Sequence, residues 1–165
     1  MKRINIIIFA ALVLCSSFQS AHALGVMASW WQIDETSDDG FGFGLRQRIQ
    51  IVPMFGIETR ASWIGFSDSD VNVYPLEAAG VLSIAMFYGG VGVGYYIFDA
   101  DLENNVGWFL LAGVDVGLGG FGVFADIQWR ELSADIEGID PNLSNVPTSL
   151  DANGIGFNVG VNFGL

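Results

Sequence analysis

Gly154-Ile-Gly-Phe-Asn-Val-Gly-Val-Asn-Phe-Gly-Leu165 alternates without a break. Ile155, Phe157, Val159, Val161, Phe163 and Leu165 share one phase. Gly154, Gly156, Asn158, Gly160, Asn162 and Gly164 share the other. Period two is the signature of a strand, whose successive side chains point to opposite faces. One wall is apolar and the other is small or polar. A tilted strand crosses lipid in about 9–11 residues, and this run is long enough.

The same pattern recurs back along the chain. Phe41 to Val52 sets Phe41, Phe43, Leu45, Ile49 and Ile51 against Gly42, Gly44, Arg46, Arg48 and Gln50, with Gln47 out of place on the apolar phase. Phe55 to Ile64, Tyr74 to Met86, Gly90 to Phe98, Val106 to Leu118 and Phe121 to Arg130 alternate likewise. Gly25 to Ile33 makes an eighth strand, its faces ambiguous because Trp30 and Trp31 are adjacent. Ala78 to Phe98 is uncharged and long enough to suggest a membrane helix, but Gly89, Gly90, Gly92 and Gly94 break a helix.

The connections alternate too. Pro53-Met54, Phe87-Tyr88-Gly89 and Gly119-Gly120 are expected as tight, uncharged turns. The other connections are longer and acidic, the longest running from about Leu132 to Asn153. An even number of strands, with short turns at one end and long loops at the other, predicts an all-β fold: an eight-stranded antiparallel up-and-down transmembrane β-barrel. Trp30, Phe41, Trp63, Tyr74, Tyr95, Trp108, Phe121, Trp129 and Phe163 gather near strand ends, where such barrels carry aromatic girdles.

The first 23 residues read as a leader. Met1-Lys2-Arg3 is basic, Ile4 to Cys15 is apolar and Ala21-His22-Ala23 fits a small-x-small cleavage site, so residues 1–23 are expected as a signal peptide and 24–165 as the barrel domain. A lipoprotein signal using Cys15 is the rival, but Leu14 stands where a small residue is wanted. Beyond the leader there is no Cys, His or Lys, and four arginines face 18 acids, a formal charge of −14. Such a surplus excludes nucleic acid as a partner, since its binders carry a basic footprint.

The charges are sorted. Arg46, Arg48, Arg60 and Arg130 all lie on the phase away from the apolar wall, and so do Glu58, Glu77, Asp115 and Asp126. That face is balanced, while the surplus acids fall in the loops. An eight-stranded barrel is just wide enough for side chains to fill it. These eight are therefore expected to form a lumen ion-pair network, with Gln50, Gln128, Asn158 and Asn162 completing its hydrogen bonds. At the outer rim, Asp68, Asp70, Asp99, Asp101 and Glu103 are candidates to hold divalent cations with lipopolysaccharide phosphates; a solvated acidic surface is the plainer reading.

Other motifs carry less. Gly117, Gly119 and Gly122 match G-x-G-x-x-G, but a strand follows where a dinucleotide site needs a helix. The run from Asp99 to Asn104 lacks the Gly and closing Glu of a calcium loop. Without His, Cys or Lys there is no usual base for a Ser nucleophile, so no catalytic residue, cofactor or confident metal site is assigned.

Val91-Gly-Val-Gly-Tyr-Tyr-Ile-Phe98, Phe124-Ala-Asp-Ile-Gln-Trp-Arg130 and Gly154 to Leu165 resemble the small outer-membrane β-barrel superfamily, near its opacity-type, OmpW-like and OmpA-transmembrane-domain members. The C-terminal strand of such barrels usually closes on Phe or Trp; here Leu165 takes that place. The resemblance implies a non-enzymatic envelope protein, a monomer in the outer membrane among lipid and lipopolysaccharide. It also implies that Gly154–Leu165 meets the assembly machinery. The barrel enzymes of that membrane use His, which this barrel lacks. A narrow conduit for small solutes or apolar molecules is the alternative function. A soluble periplasmic ligand-binding barrel, its apolar wall turned inward, is a second.

Overall fold

The computed structural model describes residues 23–34, 38–69, 71–99, 104–135, 149–151 and 153–164. The expected signal peptide falls almost wholly outside them. Among the described residues ten strands follow in chain order: β1 Ala23–Ile33, β2 Asp39–Val52, β3 Phe55–Phe66, β4 Asn72–Ile84, β5 Phe87–Phe98, β6 Asn105–Gly117, β7 Phe121–Glu131, β8 Ser133–Asp135, β9 Ser149–Asp151 and β10 Gly154–Phe163. Eight close into a barrel in the ring order β1-β10-β7-β6-β5-β4-β3-β2, every neighbour antiparallel. Closure pairs β1 with β10 and so leaves no open sheet edge to face lipid.

The register fixes the barrel's shape. From Ala23 the cross-strand partners run Arg48, Glu58, Ala79, Gly92, Phe109, Arg130 and Gly154, and the last of these pairs with Ile33. One circuit therefore climbs from residue 23 to residue 33 of β1. A stagger of that size tilts the strands by about 40°.

The apolar wall faces outward. Phe41, Phe43, Val91, Val93, Val106, Ile127, Phe157 and Val159 are all exposed, while Arg46, Glu58, Arg60, Glu77, Asp126 and Arg130 are buried. This arrangement overturns the expectation of a soluble barrel with its apolar wall turned in. Strand β1 is no longer ambiguous. Trp31 is fully buried in the lumen, and Trp30 lies opposite the exposed Phe41 and Phe157 on the outside. Gln47 sits outward by register yet is buried.

Three other expectations change. The second tight turn lies at Ala85-Met86 and not at Phe87-Tyr88-Gly89, because β4 and β5 pair out to Ile84 and Phe87. Ala85 carries the positive φ of 55° that this two-residue turn needs, a position Gly normally fills. Tyr88 thereby moves from turn to strand and points inward. The long segment after β7 is not all loop. β8 and β9 pair Ser133 with Asp151 and Ala134 with Leu150, continuing the β7–β10 register beyond the barrel. Finally, the lumen face is not polar throughout. At the loop end Trp31, Ile33, Ile64, Phe66, Val73, Tyr96, Phe98 and Leu132 form an apolar layer.

Glycines on β5 make room for that filling. A Cβ on Gly92 would lie 2.4 Å from the Phe109 ring and 2.5 Å from the Ala78 carbonyl oxygen. One on Gly94 would lie 2.7 Å from the Tyr96 ring. The inward glycines thus trade their own side chains for the aromatic rings of the next strand and their own.

Candidate functional site: the lumen

Inward-facing positions of β2, β3, β4, β6 and β7 bring all eight expected charges into one space. Glu58 is the hub. Its Oε2 accepts from Arg46 Nε at 2.9 Å and Arg48 Nε at 2.7 Å, and its Oε1 accepts from Arg60 Nε at 2.7 Å. Arg46 reaches on to Asp115 Oδ2 at 3.0 Å, and Arg48 lies 3.5 Å from the same oxygen. Arg60 donates twice to Asp126, at 3.0 and 2.8 Å. Arg130 Nε donates to Glu77 Oε1 at 3.0 Å.

Amides and phenols join these pairs into one chain. Asn158 Nδ2 donates to Asp126 Oδ1 at 2.8 Å and to Gln128 Oε1 at 2.9 Å. Gln128 Oε1 also accepts from Arg130 Nη2 at 2.6 Å, and its Nε2 donates to Glu77 at 3.2 Å. Tyr96 donates its hydroxyl to Glu77 at 3.2 Å, and Asn162 donates to Asp115 at 3.0 Å. The path runs from Asp115 through Arg46, Glu58, Arg60, Asp126, Asn158, Gln128, Arg130 and Glu77 to Tyr96, which is itself part of the apolar layer. Gln50 is a correction: its Nε2 donates to the Val52 and Pro53 carbonyls at the turn instead. It sits too near the strand end to reach the charges.

Aromatic rings, which charge sorting had not revealed, pack against the guanidiniums. Arg46 Cζ lies 3.9 Å from the Phe124 ring centre, Arg48 Cζ 4.0 Å from Tyr88 and Arg130 Cζ 4.8 Å from Trp31. Such contacts contribute about 0.5–2 kcal/mol each, more where water is excluded. Tyr88 also donates its hydroxyl to Asp126 Oδ2 at 2.7 Å. Its signal in the sequence was an aromatic in phase with Gly90 and Gly92, hidden by placing the turn there.

The two ends of the lumen differ. At the short-turn mouth the Asp115 side chain is 20% exposed and that of Arg48 11%. At the loop end the apolar layer is packed by ring contacts, Trp31 lying edge-on to Phe66 at 5.5 Å and tilted on Tyr96 at 5.8 Å. Outside it, the loops are tied together. Asp38 accepts from the backbone N–H groups of Asp68 and Ser69, and Asp99 accepts from Asn72 at 2.8 and 2.7 Å.

Of the rim candidates, Asp68 and Asp99 are exposed, and Asp70, Asp101 and Glu103 lie outside the described residues. Among the described residues no three His, Cys, Asp or Glu side chains are grouped to hold a metal ion.

A closed, eight-stranded antiparallel barrel with an apolar exterior and an ionic lumen is the architecture of a transmembrane barrel of the outer membrane. Residues 6–163 match the outer membrane protein beta-barrel domain, and the chain belongs to that family. Neisserial surface protein A is similar in structure, with a TM-score of 0.59 and 11% identity, covering 87% of this chain and 95% of that one. The Yersinia pestis outer membrane protein Ail aligns at a TM-score of 0.45 and 15% identity, covering 86% of this chain and 99% of its own. No curated protein sequence matches the chain. The protein is located in the outer membrane.

Proposed function

We propose that this is a non-enzymatic structural barrel of the outer membrane with a sealed lumen, and that its acidic loop end makes its surface contacts. The supporting observation is the unbroken polar chain that runs up to Tyr96 in the apolar layer. A passing ion would have to part Arg46 from Asp115 and Arg60 from Asp126, then displace Trp31, Phe66 and Tyr96. Breaking one buried pair costs about 3–5 kcal/mol. Each lumen carboxylate is also engaged by a guanidinium, which disfavours a hydrolytic role.

A narrow conduit is the second reading, and the part-exposed Arg48–Asp115 mouth favours it. Planar-bilayer recording separates the two. The sealed barrel gives no conductance steps at any voltage; discrete steps from the wild-type protein establish the conduit. On the same reading the protein is a monomer amid lipid and lipopolysaccharide, exported by residues 1–23. The outward face of β10 is then what the assembly machinery recognises. The acids at the rim remain candidates for bridging cations to lipopolysaccharide phosphates.

A further inference from the structure

One seam of the wall is broken. β3 and β4 pair without interruption from Phe55–Leu82 to Ala61–Leu76, then resume at Ile64–Val73. Ser62 and Trp63 are skipped on β3, and Tyr74 and Pro75 on β4. Among the described residues the other seams run unbroken, save that β2–β3 slips between Gln50 and Val52 beside its turn.

Pro75 explains the break. Backbone groups along an antiparallel strand face its two neighbours in turn. On β4, Ser83 N donates toward β3, to Met54 O at 2.8 Å, whereas Asn72 O accepts from Asp99 N, just past β5, at 3.1 Å. Odd-numbered residues of β4 therefore face β3, and Pro75 is one of them. It has no N–H, so its rung with Ser62 is one hydrogen bond short. Proline within sheets is confined to edges, strand starts and bulges. β4 lies inside a closed ring.

A side-chain bridge closes over the break. Trp63 Nε1 donates to Asn72 Oδ1 at 3.0 Å, from β3 to β4. Asn72 is fixed in turn by Asp99, which accepts from its N and Nδ2 at 2.8 and 2.7 Å. On the other side the Trp63 ring tilts against Phe43 of β2, their centres 5.3 Å apart. Gly65 leaves room for it: a Cβ there would lie 3.3 Å from that ring and 3.2 Å from Asn72 Oδ1. One indole thus joins β2 and β3 to β4 and β5 where the backbone ladder lapses. Just inside, Ile64 and Val73 are packed in the apolar layer.

We propose that the barrel wall parts at this seam, between Ala61–Leu76 and Ile64–Val73, and that Trp63, Asn72 and Asp99 form the latch that holds it shut. The opening faces outer-leaflet lipid and is independent of whether the lumen conducts.

Amide hydrogen exchange of the folded barrel in phospholipid nanodiscs, read residue by residue by NMR, tests it. Ile64 and Val73 N–H face the seam. Trp63 N–H faces β2 from the same strand, and Gln128 and Gly156 pair across the unbroken β7–β10 seam of the opposite wall. Ile64 and Val73 should exchange about tenfold faster than those three. Asn72→Ala should speed them by about a further fivefold, the worth of one hydrogen bond. Pro75→Val supplies the missing N–H at similar size and should slow them to the Gln128 rate. Equal rates on the two seams of the wild-type protein overturn the inference, whatever the variants do. An unchanged Ile64 rate in Asn72→Ala refutes the latch. A rise shared by Trp63 and Gly156 refutes it too, because the whole barrel would then have loosened.

Discussion

Arg60 on β3 and Asp126 on β7 stand on diametrically opposed walls and join them by two parallel hydrogen bonds, 3.0 and 2.8 Å long. Arg46 on β2 and Asp115 on β6, also on opposed walls one strand round, are joined by one hydrogen bond of 3.0 Å. The lumen is thus cross-braced by charge. Arg60→Gln leaves Asp126 and part of Glu58 buried without a cation and should cost about 3–5 kcal/mol. Urea titration in lipid vesicles, followed by unboiled gel migration, measures it. The double variant Arg60→Gln/Asp126→Asn should lose less than the sum of the single losses. Strict additivity would mean that the brace contributes nothing.

Tyr88→Phe removes one hydroxyl from Asp126 while keeping the ring against Arg48. Asp126 retains Arg60 and Asn158, so the loss should be modest, about 1 kcal/mol. Tyr88→Ala also removes the ring and opens a cavity, and should cost about 3–5 kcal/mol. The same titration distinguishes them. Equal losses would show that the ring contacts are unimportant.

Gly92→Val should prevent stable closure. Its new Cβ would sit 2.4 Å from the Phe109 ring and 2.5 Å from a backbone oxygen of β4. Phe109→Ala can relieve only the first contact, so it should rescue little. The readout is the fraction of protein with the folded, unboiled mobility. A wild-type fraction for Gly92→Val would contradict the close packing described.

The alternation of β2 to β7 and of β10 was legible because lipid and a narrow ionic lumen impose opposite demands on alternate residues. The sorting of Arg46, Arg48, Arg60 and Arg130 onto one phase with Glu58, Glu77, Asp115 and Asp126 is the same physics. Where both faces are apolar the signal fades. Trp30 and Trp31 gave no phase because Trp31, Ile33, Ile64 and Phe66 fill the capped end of the lumen. The Ala85-Met86 turn left no mark, since its strained position holds Ala while Gly89 and Gly90 lie nearby as decoys. The partners across the barrel were beyond reading. Arg60 meets Asp126 only because the stagger of eight pairings brings β3 and β7 to the same height.

Ala112→Arg places a guanidinium on the outer face near mid-band, opposite the exposed Ile127. It should destabilise the barrel in vesicles by about 2–4 kcal/mol. Asp68→Arg, on an exposed loop, should stay within about 0.5 kcal/mol. A tolerated Ala112→Arg would place that face in water.

Trp30 and Trp31 are the sharpest test of which side meets lipid. Two proteins are made, each keeping one of them and carrying Phe at the other four tryptophan positions. Both are folded into bilayers of brominated phospholipid, whose bromine quenches indole fluorescence on contact. Quenching should be strong for Trp30 alone and close to nil for Trp31 alone. Equal quenching, or quenching of Trp31 alone, would contradict an apolar exterior wrapped around an ionic lumen.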